Sequence, residues 1–245
     1  MIGAAVLVLP GCGDGDASGR GRLVVSAAAS LRAPLSACSR EFEGARVRIS
    51  FAGSDELAAQ IRRGVRPGVF LAANTKLPRQ LAGEGLVEAP VAFATNELVV
   101  AVRRDAPLHT LGDVGGGGVT VVVGDETVPV GAYTRTALAR VGGDLERRIL
   151  ANVRSEEPDV SGVVGKLLQG SADAAFVYRS DVTGAGGKLR TIDLPARARP
   201  QVVYGGAVVR GAGDHAVARR YLDGVLRGPC ARALHDAGFG PAPGR

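Results

Sequence analysis

The chain has 245 residues, a formal net charge of +6, 46% hydrophobic residues and 22% charged residues. That is enough for one large or two small domains with a sizeable core, and the charged fraction is ordinary for a soluble protein. Only three of its 30 basic residues are lysine, at 76, 166 and 188; the arginines are scattered, with no basic tract interleaved with aromatics and no helix-turn-helix spacing, which argues against a nucleic-acid partner.

In chain order, the first segment is "MIGAAVLVLPGC". Its apolar run is too short to span a bilayer, which takes roughly 20 apolar residues. It reads as the end of a secretory signal, and Leu-Pro-Gly-Cys resembles a bacterial lipobox in which Cys12 would be lipidated. Pro10 and the lack of a basic residue ahead of the run depart from that pattern. Residues 13–21 read as a flexible tether, so a leader and tether occupy 1–21.

Beyond the tether, "RLVVSA" reads as a strand and 30–43 as a helix, with Ser30 as its N-cap. "ARVRISF" alternates as a strand, "SDELAAQIRRG" is a helix stopped by Gly64, "GVFLAA" is a short strand and 75–83 a short helix. "ELVVAVRR" has the continuous apolar centre of a strand covered on both faces. The glycines at 115–118 make a loop before "VTVVVGD", followed by helices over 130–141, 144–150 and 158–169. In the last of these Val160, Val163, Val164, Leu167 and Leu168 fall on one helical face. "DAAFVY", "KLRTIDL" and "QVVYGGAVV" are strands, and helices at 214–227 and 229–237 are broken at Gly228-Pro229. The tail "GPAPGR" reads as disordered. Alternating strands and helices imply α/β architecture with a mainly parallel sheet, and two successive sets suggest two lobes.

Several strand-to-helix junctions share one chemistry. Small residues precede Ser30; Gly53-Ser54 opens a helix; Pro129-Val130-Gly131 opens another; Pro158 precedes a start with Val160 in its first turn; Tyr178 ends a strand. In an open α/β sheet ligands bind beyond the carboxyl ends of the strands, and helix N-termini there offer unpaired N–H groups to anions. Helix capping alone explains any one junction; their repetition allows convergence on a single dianion. A hydrogen bond to a charged group contributes on the order of 1.5–3 kcal/mol, so several neutral donors suffice without an arginine.

"AAASL", "FAGSDELAAQIRRG", "VGDETVPVGAYTRTAL", "PDVSGVV" and "FVYRSD", in this order, resemble the molybdate-binding periplasmic proteins of ABC importers over residues 22–240. The resemblance implies a two-lobed periplasmic-binding-protein fold with a ligand cleft between the lobes. The first lobe would take 22–95 plus 204–245, the second 96–203. It implies an oxyanion, molybdate or tungstate, held by Ser30 and Ser54 from the first lobe and by Val130, Val160 and Tyr178 from the second. Val130 and Val160 would act through backbone N–H, supported by the N–H of Leu31. No direct protein–metal ligand and no other cofactor is implied. The partners are a membrane permease and its ATPase, the location is extracytoplasmic with at most a lipid anchor on the membrane, and the state is monomeric. Gly68 and Asn74 stand where the family carries acids, and Val130 where a smaller residue is common. Cys38 and Cys230 lie on apolar helix faces and read equally as two separate buried thiols; the resemblance puts both helices in one lobe, where a disulfide can form in an exported protein.

Other classes leave weaker traces. His109, His215 and His235 are dispersed, no Gly-x-Ser-x-Gly elbow or Cys-x-x-Cys occurs, and the glycine run lacks a following Gly-Lys-Ser/Thr. A hydrolase or transferase is therefore disfavoured. Receptors for sulfate or another oxyanion, and a sensory lipoprotein, remain as alternatives.

Overall fold

The computed structural model describes residues 21–244; Cys12 and the proposed leader lie outside the described residues. Strand β1 (Arg22–Ala28) enters a 3-10 turn (Ala29–Leu31) that continues into α1 (Arg32–Cys38) and leaves through a second 3-10 turn (Ser39–Glu41). β2 (Arg46–Ala52), α2 (Ser54–Arg62), β3 (Val69–Ala72), α3 (Lys76–Gly83) and β4 (Val91–Asn96) follow. The chain then builds β5 (Leu98–Arg103), α4 (Leu111–Val114), β6 (Val121–Gly124), α5 (Pro129–Val141) and α6 (Gly143–Ala151). Next come β7 (Val153–Glu157), α7 (Val160–Leu168), β8 (Ala174–Tyr178), α8 (Arg179–Gly184) and β9 (Leu189–Ile192). It returns through β10 (Val202–Val208), α9 (His215–Arg227), α10 (Pro229–Asp236) and β11 (Gly240–Pro241).

These strands form two sheets, ordered β11-β4-β10-β3-β1-β2 and β7-β6-β8-β5-β9. Neither is mainly parallel. β1 pairs in parallel with β2 and β3, and β6 with β7 and β8, but β4, β5, β9, β10 and β11 pair antiparallel. The reason is topological: β4 passes straight into β5, and β10 brings the chain back, so the crossing strands run against the βα units. Asn96, Val202 and Val203 pair within the first sheet, placing its edge slightly beyond the sequence-based lobe limits.

Central strands are buried on both faces, as their unbroken apolar runs require. In β3, Val69 and Leu71 join the main core while Phe70 and Ala72 join a second cluster under α2 and α3 with Leu57, Ile61 and Leu81. The period-2 alternation of a strand splits them this way. The main core runs without interruption from Val25 and Leu71 in the first sheet to Val121 and Phe176 in the second, so the two halves pack on each other. Gly64, with φ +101°, stops α2, and Pro229 opens α10 directly after Gly228.

The sequence expectation of one helix over 30–43 is met by a helix with 3-10 ends spanning 29–41. Ser30 is not its N-cap: Ala28 holds that position without a side-chain bond, and the Ser30 hydroxyl turns to Tyr204 instead. The tail is ordered at Gly240–Pro241, which pairs with Thr95 and Ala94, because Phe239 is buried against Tyr204. Periodicity missed β4, β7, α4 and α8; β7, a polar edge strand reading Val-Arg-Ser-Glu-Glu, carries no apolar signal. A disulfide joins Cys38 to Cys230, with a Cα–Cα distance of 5.1 Å, tying α1 to α10 across 192 positions.

Candidate functional site

Parallel pairing puts the carboxyl ends of β1 and β2 on one edge of the first sheet, and those of β6, β7 and β8 on one edge of the second. The two edges face each other. One cavity between them is lined by Ser30, Ser54, Val130, Val160 and Tyr178, all five residues singled out in the sequence. Leu31 is not on its wall; it is fully buried behind Ser30. The cavity volume is about 20 Å³, room for a guest little larger than a water molecule, so the site suits a small ion and not a drug-sized molecule.

Helix N-termini face this cavity. α2 starts at Ser54 after Gly53, and α5 starts at Pro129 and Val130 after Val128; neither N-cap side chain takes a helix N–H. α7 begins at Val160, where the Asp159 carboxylate accepts from Gly162 N–H at 3.0 Å and leaves the earlier amides uncommitted. The 3-10 turn ahead of α1 is likewise uncapped. Each α-helix N-terminus acts as roughly +0.5 charge, so α2, α5 and α7 together offset much of the charge of a dianion. Among the described residues, no lysine, arginine or histidine lines the cavity.

The hydroxyls differ in their partners. Ser54 Oγ accepts from Ala73 N–H at 3.0 Å, so its own proton is free. Ser30 Oγ lies 2.8 Å from Tyr204 Oη. The Tyr178 hydroxyl is buried and has no partner, while its ring meets Tyr204 edge-on with centroids 5.9 Å apart. An orphaned buried donor costs about 1–3 kcal/mol, and it faces the cavity where an acceptor would satisfy it. Desolvation first, and then the neighbouring Tyr204, hold its proton on well above the ordinary phenol range.

The nearby acids show the same shortage of positive charge. Burial raises Asp55, and with it Asp181, whose pKa is pushed up to about 7 despite a hydrogen bond accepted from Tyr178 N–H. Asp125 is held low by Thr127, which gives it hydroxyl and backbone bonds of 2.6 and 2.9 Å.

Close approach of the halves depends on glycine. A Cβ on Gly53 would come within 2.6 Å of Pro158 O from the facing half; inside the second half, one on Gly131 would come within 1.8 Å of Asp125 O and push α5 off the end of β6. Sequence reasoning missed the roles of Gly53, Ala73, Asp159 and Tyr204. Asp159 was readable as an N-cap, being an aspartate just ahead of the apolar stripe. Tyr204 carries no local signal, since its partner is 174 positions away. Among the described residues, no group of three or more His, Cys, Asp or Glu could hold a metal ion, and no helix is long and apolar enough to cross a membrane.

Two mixed sheets closing on one cavity of dipoles and hydroxyls define a two-lobed α/β fold with a cleft between its halves. The chain belongs to the bacterial extracellular solute-binding protein family, whose profile matches residues 23–240. That family implies an extracytoplasmic location. The molybdate-binding protein ModA of Mycobacterium tuberculosis (strain ATCC 25618 / H37Rv) is 33% identical over 232 residues, covering 92% of this chain and 87% of that protein. Among solved structures, the periplasmic molybdate-binding protein of Azotobacter vinelandii superposes with a TM-score of 0.79 at 21% identity, covering 89% and 98% of the two chains. The sulfate-binding protein SubI of Mycobacterium tuberculosis H37Rv also reaches 0.79, at 16% identity over 91% and 88%. The fold is therefore common to receptors for different oxyanions.

Proposed function

We propose that this protein is a receptor that captures molybdate, with tungstate bound comparably, and hands it to the permease and ATPase of an ABC importer. The observation that carries the reading is the unpartnered Tyr178 hydroxyl, buried in the wall of a cavity that also takes Ser30, Ser54 and the first turns of α5 and α7. An acceptor-only tetrahedral dianion fits this donor set: every hydroxyl and amide donates, and none needs to accept. Among the described residues Asp159 is the one acid on the wall, and its Oδ1 accepts from Gly162 N–H, which caps α7.

The 33% identical molybdate-binding relative supports molybdate over sulfate, since the fold alone serves both. The two sheets are the cores of two lobes, 22–95 with 204–245 and 96–203, which close on the anion about the crossings near residue 96 and residue 202. The closed form is what the permease would recognise. A monomer tethered through a lipidated Cys12 completes the reading, and membership of a solute-binding family supports a receptor over an enzyme.

Titration calorimetry against molybdate, tungstate, sulfate and phosphate tests it. Molybdate and tungstate are expected to bind with similar affinity, and sulfate and phosphate at least tenfold more weakly. Sulfate binding as tightly as molybdate would replace this reading with that of a sulfate receptor; heat from none of the four would remove it.

A further inference from the structure

Tyr204 does not line the cavity, yet its hydroxyl is 2.8 Å from Ser30 Oγ. Two hydroxyls in contact have one shared proton, and the direction of that bond decides what Ser30 can do. If Ser30 gives its proton to Tyr204, it presents only lone pairs to an anion. If it accepts, its own proton points into the cavity.

Asn96, at the crossing between the sheets, fixes the direction. Glu97 N–H donates to Asn96 Oδ1 at 2.9 Å. A backbone amide can only donate, so that atom is the carbonyl oxygen and the other is the NH2 group with two protons. One goes to Ser180 Oγ at 2.8 Å. Its other proton remains for the Tyr204 hydroxyl beside it. Tyr204 is fully buried, and Ser30 Oγ is the hydrogen-bond partner its hydroxyl has among the described residues, so the buried phenol proton goes to Ser30.

We infer that Tyr204 is a positioning residue for anion capture: held by Asn96, it donates to Ser30 and thereby fixes the Ser30 hydroxyl as a donor into the cavity. This rests on the anion-site reading above. Desolvation keeps the phenol of Tyr204 protonated far above its ordinary range, so the proton is always there to give. Its ring is set edge-on among Phe93, Tyr178 and Phe239, at centroid distances of 5.9, 5.9 and 5.3 Å. Tyr204→Phe keeps that packing and removes only the hydroxyl.

The test is calorimetry with sodium molybdate on the wild type, Ser30→Ala, Tyr204→Phe and the double variant. Ser30→Ala is expected to weaken binding about 10- to 100-fold and Tyr204→Phe about 3- to 10-fold. In the double variant the phenylalanine should add less than about twofold, because Tyr204 acts through Ser30 alone. Unchanged affinity in Tyr204→Phe, or an equal loss in both backgrounds, overturns the inference; the second result would mark a purely structural role. Unchanged affinity in Ser30→Ala would instead overturn the anion-site reading itself. Should Tyr204→Phe not fold, Asn96→Asp replaces the donor with an acceptor and reverses the Tyr204 proton. It should then weaken molybdate binding in the wild-type background and not in Ser30→Ala, and equal losses in both backgrounds overturn the inference.

Discussion

The two halves meet the cavity in different ways. In the first, Ser30 and Ser54 are already held by protein, through Tyr204 and the amide of Ala73, and a disulfide ties α1 to α10 behind them. In the second, the Tyr178 hydroxyl and the first turn of α5 face the cavity without side-chain partners, α7 keeps its first amides uncommitted beside the Asp159–Gly162 cap, and the described residues include no cysteine there. The first half is thus a cup shaped before the guest arrives. The second half carries donors left without partners, which on the proposed reading would link its closure to binding. A solute receptor needs both features: a fixed surface to select the anion, and an unsatisfied one to report it.

The largest effect that can break this contrast is loss of the staple. Cys38→Ser with Cys230→Ser is expected to cost about 2–5 kcal/mol in denaturant unfolding, since the loop it closes is long. Molybdate affinity, measured under native conditions, should change by less than about twofold. A large drop in affinity would mean that the cup depends on the disulfide for its shape.

Ser54→Ala and Tyr178→Phe sharpen the contrast directly. Both remove a donor to the anion, and both should weaken binding about 10- to 100-fold. Only Ser54→Ala should also destabilise the anion-free protein, by about 1–3 kcal/mol, because it strands the buried N–H of Ala73. Tyr178→Phe removes an orphaned group and should leave the anion-free melting temperature unchanged or raised. Equal destabilisation by the two would dissolve the difference between the halves.

Gly53→Ala probes the seam. Its backbone suits alanine, at φ −56° and ψ 139°, and the added methyl would meet Pro158 O of the other half at 2.6 Å and Asp55 Oδ1 at 2.8 Å, of which the side chain can turn aside and the backbone carbonyl cannot. Such overpacking costs about 1–3 kcal/mol and should fall on the closed form, lowering affinity roughly 5- to 100-fold with little change in anion-free stability. Unaltered affinity would show that the halves do not approach this closely when the anion binds.

The smallest effect is on pH dependence. Burial raises Asp181 from 3.8 to about 7, so the folded protein holds this proton more tightly than the unfolded chain. Its contribution is full below pH 3.8 and is lost as pH rises through about 7. Asp181→Asn should therefore flatten the decline of stability across that interval, as read from melting temperatures. Parallel curves for the two proteins would show that Asp181 ionises at its ordinary value.

Much of this was legible before any coordinates. The run Val24–Ser30, the Gly53-Ser54 junction and the apolar stripe of α7 are local patterns, and each sits where its pattern put it. The polar edge strand β7 and the four-residue helix α4 escaped because so short or polar a segment has no period to detect. Ser30 shows the limit most clearly. As an isolated serine before a helix it reads as a cap, but in the folded chain a tyrosine 174 positions away competes for its hydroxyl and wins.

By itself the sequence determined the succession of strands and helices, the small residues at their junctions, and the scarcity of positive charge at those places. These follow from backbone sterics and side-chain period, which act over a few residues. Tertiary structure decided which donors stay unpaired, which partner the Ser30 hydroxyl takes, and that β4 and β10 run against their neighbours. Hydrogen-bond partners and strand neighbours are chosen by packing between segments far apart in the chain, and no local pattern records that choice.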